Sequence, residues 1–214
     1  MSDLKLPTWA VPAKPREEMV VNHRIPIRDR WWRAAVDRFG LGGTPPSAPT
    51  LSRAEVWVDD DVLSLLWRTL AWGSGRYLRQ NTRRLRGIAD NVDGAIKLLT
   101  TARDMSHDDP KGAYAVLLPN GRTAIPFLGP SFFTKFLYFA GRGEPDHRCL
   151  ILDRVVATTL RDDCGVSSLR PTGPWSADTY QDYCDGLAKA ACAYHCAADE
   201  IELALFTGKQ GDKP

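Results

Sequence analysis

Residues 109–160 read DPKGAYAVLLPNGRTAIPFLGPSFFTKFLYFAGRGEPDHRCLILDRVVATTL, and the fold turns on how they are divided. A helix is expected from Pro110 to Leu118, a second from Ser131 to Ala140, and a third that opens at Ile151-Leu152-Asp153 and runs through Leu160. Phe127-Leu128-Gly129-Pro130 makes the tight connection between the first two. Glycine admits a close backbone approach, and proline is preset for a first helical position. Such a start leaves backbone N–H groups free at the positive end of a helix dipole, an arrangement that suits a phosphate. Within the stretch, Val116 to Ile125 also reads as a short β-hairpin around Asn120-Gly121.

Working outward, the rest of the chain is also helical in pattern. Val92–Met105 has Ala95, Ile96, Leu98, Leu99 and Ala102 as its apolar positions, and an arginine-rich helix is expected from about Tyr77 to Ala89. Before it, Leu63, Leu66, Trp67 and Leu70 recur at i, i+3, i+4 and i+7. Asp59, Asp60 and Asp61 put negative charge at that helix's start, and Gly73 and Gly75 end it. Arg28 to Phe39 forms a shorter helix with Trp31, Val36 and Phe39 available for burial, followed by the linker GGTPPSAPT. Ser176 is an N-cap for the last long helix, where Tyr180, Tyr183, Cys184, Leu187, Ala191 and Tyr194 trace a stripe that breaks near Ala198 or Asp199. The fold class is mainly α, with residues 1–20, which contain Pro7, Pro12 and Pro15, as a flexible arm and residues 21–214 as a single domain.

With 214 residues, 43% of them apolar and 25% charged, the chain can bury a core without disulfides or metal. Its apolar runs fall far short of the roughly 20 residues of a spanning helix, and the N-terminus does not read as a secretory signal, so a cytoplasmic protein is expected. Five cysteines, an odd number, suit a reducing compartment. Cys184, Cys192 and Cys196 share one helical segment with His195, but no CxxC occurs and one helix cannot surround a zinc. They read as core residues, and no metal is expected. His107 and His147 have no matched partners.

The net charge of +2 hides an uneven distribution. Val62 to Ala89 carries Arg68, Arg76, Arg79, Arg83, Arg84 and Arg86 without an acid, and Pro110 to Gly143 carries Lys111, Arg122, Lys135 and Arg142, again without one. Those windows hold +6 and +4, which leaves −8 for the remainder. The arginines form either a solvated face or a phosphate-binding one.

The Gly129-Pro130-Ser131 turn, the helix after it and Leu152-Asp153 at the next helix start resemble the helix–hairpin–helix DNA glycosylases. LGPSFFTKFLYFAG followed by LILDR is most similar to the bacterial branch with an 8-oxoguanine DNA glycosylase fold. The resemblance implies two helical lobes with a DNA cleft between them, base flipping, and cleavage of the N-glycosidic bond of a damaged or modified base in double-stranded DNA. It implies a monomer at the nucleoid, without an iron–sulfur cluster or other cofactor, and allows a role against phage with modified DNA.

Under the resemblance Asp153 is the catalytic carboxylate, kept ionised by the helix dipole. The nucleophile has two candidates. Counting from Gly129 puts Ser131 in the place of the family's lysine, which implies a water-using enzyme; Lys135, 18 residues before Asp153, matches the family's lysine-to-aspartate spacing. Among Phe132, Phe133, Phe136 and Phe139, a partly desolvated Lys135 would form a Schiff base and confer lyase activity. Gly129, Ser131, Arg76, Arg79 and Arg83 are the expected DNA contacts, and Trp72 and Ser131 the expected base pocket. From other classes, a non-catalytic DNA-structure binder and a helical interaction module fit the same residues.

Overall fold

The computed structural model describes residues 4–57 and 61–211, and it is mainly helical. Its helices are α1 (Asp29–Arg38), α2 (Arg53–Val56), α3 (Val62–Ser74), α4 (Asn81–Ala89), α5 (Val92–Met105), α6 (Pro110–Leu117), α7 (Pro130–Ala140), α8 (Arg154–Asp163), α9 (Ala177–Tyr194) and α10 (Ala198–Gly211). Two short strands, β1 (Arg24–Pro26) and β2 (Thr50–Ser52), pair antiparallel with Ile25 opposite Leu51.

The decisive stretch folds into its three helices, each with an identifiable start. Asp109 accepts from the Gly112 N–H at 2.8 Å and Pro110 occupies the first turn of α6. Pro130 does the same for α7, and Asp153 caps α8. From Phe133 to Ala140 every residue of α7 is buried, so the helix is apolar nearly all round and sits at the centre, packed on α3, α5 and α6. Helix α3 is equally buried from Val62 to Leu66 and at Trp67, Leu70 and Trp72, with Asp61 as its N-cap; Asp59 and Asp60 lie outside the described residues. Tyr114 of α6 stacks on Tyr180 of α9 with centroids 4.7 Å apart and donates its hydroxyl to the Trp175 carbonyl.

Several local expectations are corrected. No strand pair forms over Val116 to Ile125: α6 runs to Leu117 and a single 3₁₀ turn spans Pro119–Gly121. Asn120 and Gly121 do take positive φ, of 52° and 75°, and the Ala124 N–H reaches back to the Leu117 carbonyl. The turn chemistry was legible, but the buried face of α6 claims Leu117 first. Helix α4 starts at Asn81 rather than Tyr77, because Gln80 sits at φ 63°. In α1, Trp32 is buried and Trp31 only partly so. The break after α9 falls at His195 in the left-handed region.

Residues 4–20, within the stretch 1–20 expected as a flexible arm, lie against the body. Ala10 and Val20 are fully buried, and the short turns Thr8–Ala10 and Glu17–Val21 contact α10. Arg16 explains the attachment: it donates two hydrogen bonds to Asp199, at 2.9 and 2.6 Å, and one to the Gly143 carbonyl. Asp199 also accepts from the Tyr138 hydroxyl at 2.9 Å.

Beside this group Arg53 pairs with Glu202 at 3.0 Å, both side chains 1% exposed, and the guanidinium lies over the rings of Trp72 and Tyr138. Removing one partner strands a buried charge. Arg53→Leu is expected to cost about 3–5 kcal/mol in urea unfolding, whereas replacing both Arg53 and Glu202 by leucine costs much less than the two single changes together.

Candidate active site

Asp153 stands where an extended segment turns into α8. Its Oδ1 accepts from the N–H groups of Val155 and Val156, at 3.0 and 3.2 Å, so the cap occupies one oxygen only. Oδ2 accepts from Lys135 Nζ at 2.9 Å. The ammonium also donates to the Ser131 carbonyl at 2.9 Å, one turn earlier on α7. The two side chains are 8% and 13% exposed, largely but not wholly withdrawn from water. Burial works to raise the Asp153 carboxyl, but the Lys135 ammonium and the two backbone donors outweigh it and hold the group below the ordinary carboxylate range.

The segment before Asp153 is held by Thr134, which the sequence did not single out, and by Tyr180 and Tyr183, which it gave only as members of a helix stripe. Thr134 Oγ1 receives the Leu152 N–H at 3.2 Å, and its single hydrogen is within reach of the Pro130 carbonyl at 2.8 Å and the Leu152 carbonyl at 3.1 Å. The Tyr180 and Tyr183 hydroxyls donate to the Leu150 and Ile151 carbonyls at 2.8 and 2.6 Å. An extended chain without a neighbouring strand thus has its buried polar groups paired by side chains. The only signals available in advance were the place of Thr134 beside Lys135 and the i, i+3 spacing of the two tyrosines.

Two cavities are lined by neighbours of the pair, Ser131, Phe132, Arg154 and Gly73 among them, though not by Lys135 or Asp153 themselves. One, of about 540 Å³, is lined by Gly129, Ser131, Phe132, Arg84, Phe127 and Arg154 among others. The second, of about 680 Å³, is lined by Gly73, Ser74, Tyr77, Arg79, Gln80, Arg84 and Phe132. Phe132 and Arg84 belong to both, with the guanidinium carbon 3.8 Å from the ring centroid. Arg84, 6% exposed, donates to the carbonyls of Phe127 and Arg79 and to Asn81 Oδ1. Burial pushes its guanidinium down to about 10. It is therefore a structural clamp on the connection before α7, a role hidden inside a run of arginines. It holds Phe127 at φ 63° with the ring half exposed, under Arg83.

The expected site residues divide. Lys135 and Asp153 meet, and Ser131 is partly exposed in the first cavity. Arg76, Arg79 and Arg83 are exposed, with Arg79 at the second cavity. A side chain at Gly129 would meet nothing within 4 Å, so the space beside it is open. Trp72 is displaced from its expected place. It is 6% exposed, packed against His23, Phe139 and Arg53, and lines neither cavity, because the apolar face of α3 takes its ring inward.

Among the described residues, no group of three or more histidine, cysteine or acidic side chains is placed to hold a metal. Cys149, Cys164 and Cys184 are buried, whereas Cys192 is exposed and Cys196 partly so, against the expectation of core cysteines. His147 is buried, with Nε2 hydrogen-bonded to the Leu137 carbonyl at 2.8 Å. No helix among the described residues is long and apolar enough to cross a membrane.

Residues 18–206 match the family described as "Putative 8-oxoguanine DNA glycosylase OGG-like protein". The chain belongs to this family. The match takes in α1 to α9 and much of α10, and with them Lys135, Asp153, Thr134 and both cavities. No curated protein and no solved structure matches the chain. For this OGG-like chain the Lys135–Asp153 contact has a measurable signature. The Asp153 carboxyl is held low in the folded state, so its stabilisation is fully present above about pH 4, the value of an unfolded aspartate, and is lost as the pH falls through the lower folded value. The destabilisation caused by Asp153→Asn, measured by urea unfolding, is therefore expected to shrink as the pH is lowered from 6 through about 4 and beyond.

Proposed function

We propose that this OGG-like chain is a DNA glycosylase that uses Lys135 as nucleophile and Asp153 as its charge partner. The observation that carries the reading is the 2.9 Å contact between Lys135 Nζ and Asp153 Oδ2, next to the cavity-lining residues Ser131, Phe132 and Arg154. Unlike Arg53 and Glu202, 1% exposed each, this pair keeps partial access to water.

In this reading α6, the connection through Gly129 and α7 form the hairpin that meets a DNA backbone. The open space beside Gly129 and the α7 N-terminus receive a phosphate, and Arg76, Arg79 and Arg83 meet others. The duplex lies in a cleft between two helical lobes, and the flipped nucleotide enters beside Phe132. Arg79, Tyr77 and the Phe132 ring at the second cavity supply the polar and stacking contacts that a base requires, in place of Trp72.

The proton on the Lys135–Asp153 contact passes to the carboxylate and leaves a neutral amine. Nζ bonds to C1′ as the C1′–N bond breaks; the base keeps the electron pair and takes the proton back from Asp153. A proton then moves from the attached nitrogen to the ring oxygen, the sugar opens, and an iminium joins C1′ to Lys135. The restored Asp153 carboxylate faces that positive charge.

Oligonucleotides carrying 8-oxoguanine head the substrate panel, followed by other lesions and modified phage DNA. Base release with a borohydride-trapped adduct is expected. Lys135→Ala is expected to abolish trapping, and Asp153→Asn to slow release at least about a hundredfold. Release without trapping would make water the nucleophile. DNA binding without release from any substrate would overturn the reading in favour of a non-catalytic binder. Replacing Arg76, Arg79 and Arg83 by alanine is expected to flatten the dependence of log affinity on log salt by about 0.9 for each phosphate that these side chains neutralise.

A further inference from the structure

Gly73 lies in the last turn of α3, where the backbone is helical and φ is negative, so conformation alone does not call for glycine there. Alanine is the better helix former at such a position. What excludes it is space. A Cβ at Gly73 would stand 2.9 Å from Lys135 Cδ, 3.2 Å from Phe132 Cε1 and 3.4 Å from Lys135 Cε. Every one of these close atoms belongs to α7, and two of the three belong to the stem that carries the amine.

We propose that Gly73 is a positioning residue for Lys135. Its missing side chain is the slot along which the lysine stem runs before Nζ reaches Asp153 Oδ2 and the Ser131 carbonyl. Lys135 is 6% exposed, and Phe132 lies on one side of its stem, so a stem pushed off this path carries the amine away from the carboxylate. Gly73 also lines the larger cavity, so one small residue leaves room beside Phe132 and, on its other contact, room for the lysine stem. The obstacle a methyl meets is chiefly a flexible chain rather than backbone. The fold therefore absorbs Gly73→Ala by moving Lys135, not by unfolding.

The functional half of the inference rests on the glycosylase reading; the positioning half does not. For Gly73→Ala, the melting temperature is expected to fall modestly, by less than in Lys135→Ala, because the gain in helix propensity only partly offsets the weakened Lys135–Asp153 contact, with affinity for undamaged duplex DNA within about twofold. Borohydride trapping is expected to slow at least about tenfold. The Asp153 carboxyl, titrated through its ¹³C resonance, is expected to move up as the ammonium leaves it. In the Lys135→Ala background, where the stem is gone, Gly73→Ala is expected to raise the melting temperature instead of lowering it.

A Gly73→Ala protein that keeps its trapping rate and its Asp153 titration would overturn the proposal, as would one that unfolds, since the methyl would then not be absorbed by the lysine. If the unaltered protein traps no adduct on any substrate, the glycosylase reading fails. The Asp153 titration and the stability cycle then still decide whether Gly73 positions Lys135.

Discussion

A lysine in the middle of α7 and an aspartate at the start of α8, which meet at 2.9 Å and are both mostly withdrawn from water, are held against a large desolvation cost. That cost is offset only when the geometry is fixed and every remaining polar atom has a partner. Much of the local architecture can be understood as meeting that condition. Asp153 has its second oxygen on two backbone donors of α8, and Lys135 has a second acceptor in the Ser131 carbonyl. Thr134, adjacent to the lysine, receives the backbone N–H of Leu152, adjacent to the aspartate, so the two charged residues are fixed by neighbours that are themselves cross-linked.

The surroundings of the pair are aromatic and cationic for separate reasons. Phe132 is the wall between two cavities, and Arg84 stacks on it while its hydrogen bonds hold Phe127, Arg79 and Asn81. A buried arginine bonded to neutral oxygens is weak as glue, but its planar fork joins the turn before α4 to the connection before α7. Arg76, Arg79 and Arg83 are exposed instead. The run of arginines that looks uniform in the sequence is therefore divided between holding the wall and facing outward.

How much of this was legible depends on the range of the interaction concerned. Helix starts are local, and Asp109, Pro110, Pro130, Asp153 and Ser176 stand where their residue types announce them. The Lys135–Asp153 pair was legible as a spacing only once a resemblance supplied the partner; counting from Gly129 favoured Ser131 equally well. What escaped were the long-range choices. Trp72 had the composition of a pocket wall, but it lies on the buried face of α3, where Arg53 and Phe139 receive it. The proline-rich start looked loose because nothing in its own sequence announces what Arg16 binds; the partner, Asp199, is 183 residues away. The place of Thr134 beside Lys135 and the spacing of the two tyrosines did not reveal their bonds, since the acceptors are backbone carbonyls, which every residue has.

The two buried pairs near α7 show why the fold needs both. Arg53 and Glu202, 1% exposed each, join α2 to α10, and with Arg16, Asp199 and Tyr138 they fasten the first described residues and the last helix onto the C-terminal part of the central helix. At the other end of α7, the starts of α7 and α8 border the two cavities, and the Lys135–Asp153 pair retains a share of water access. A chain of this size can give up some stability at one place if another is over-determined. The sealed network fixes α7 from one end, while Lys135 and Asp153 meet behind Ser131, Phe132 and Arg154, the neighbours that line the cavities.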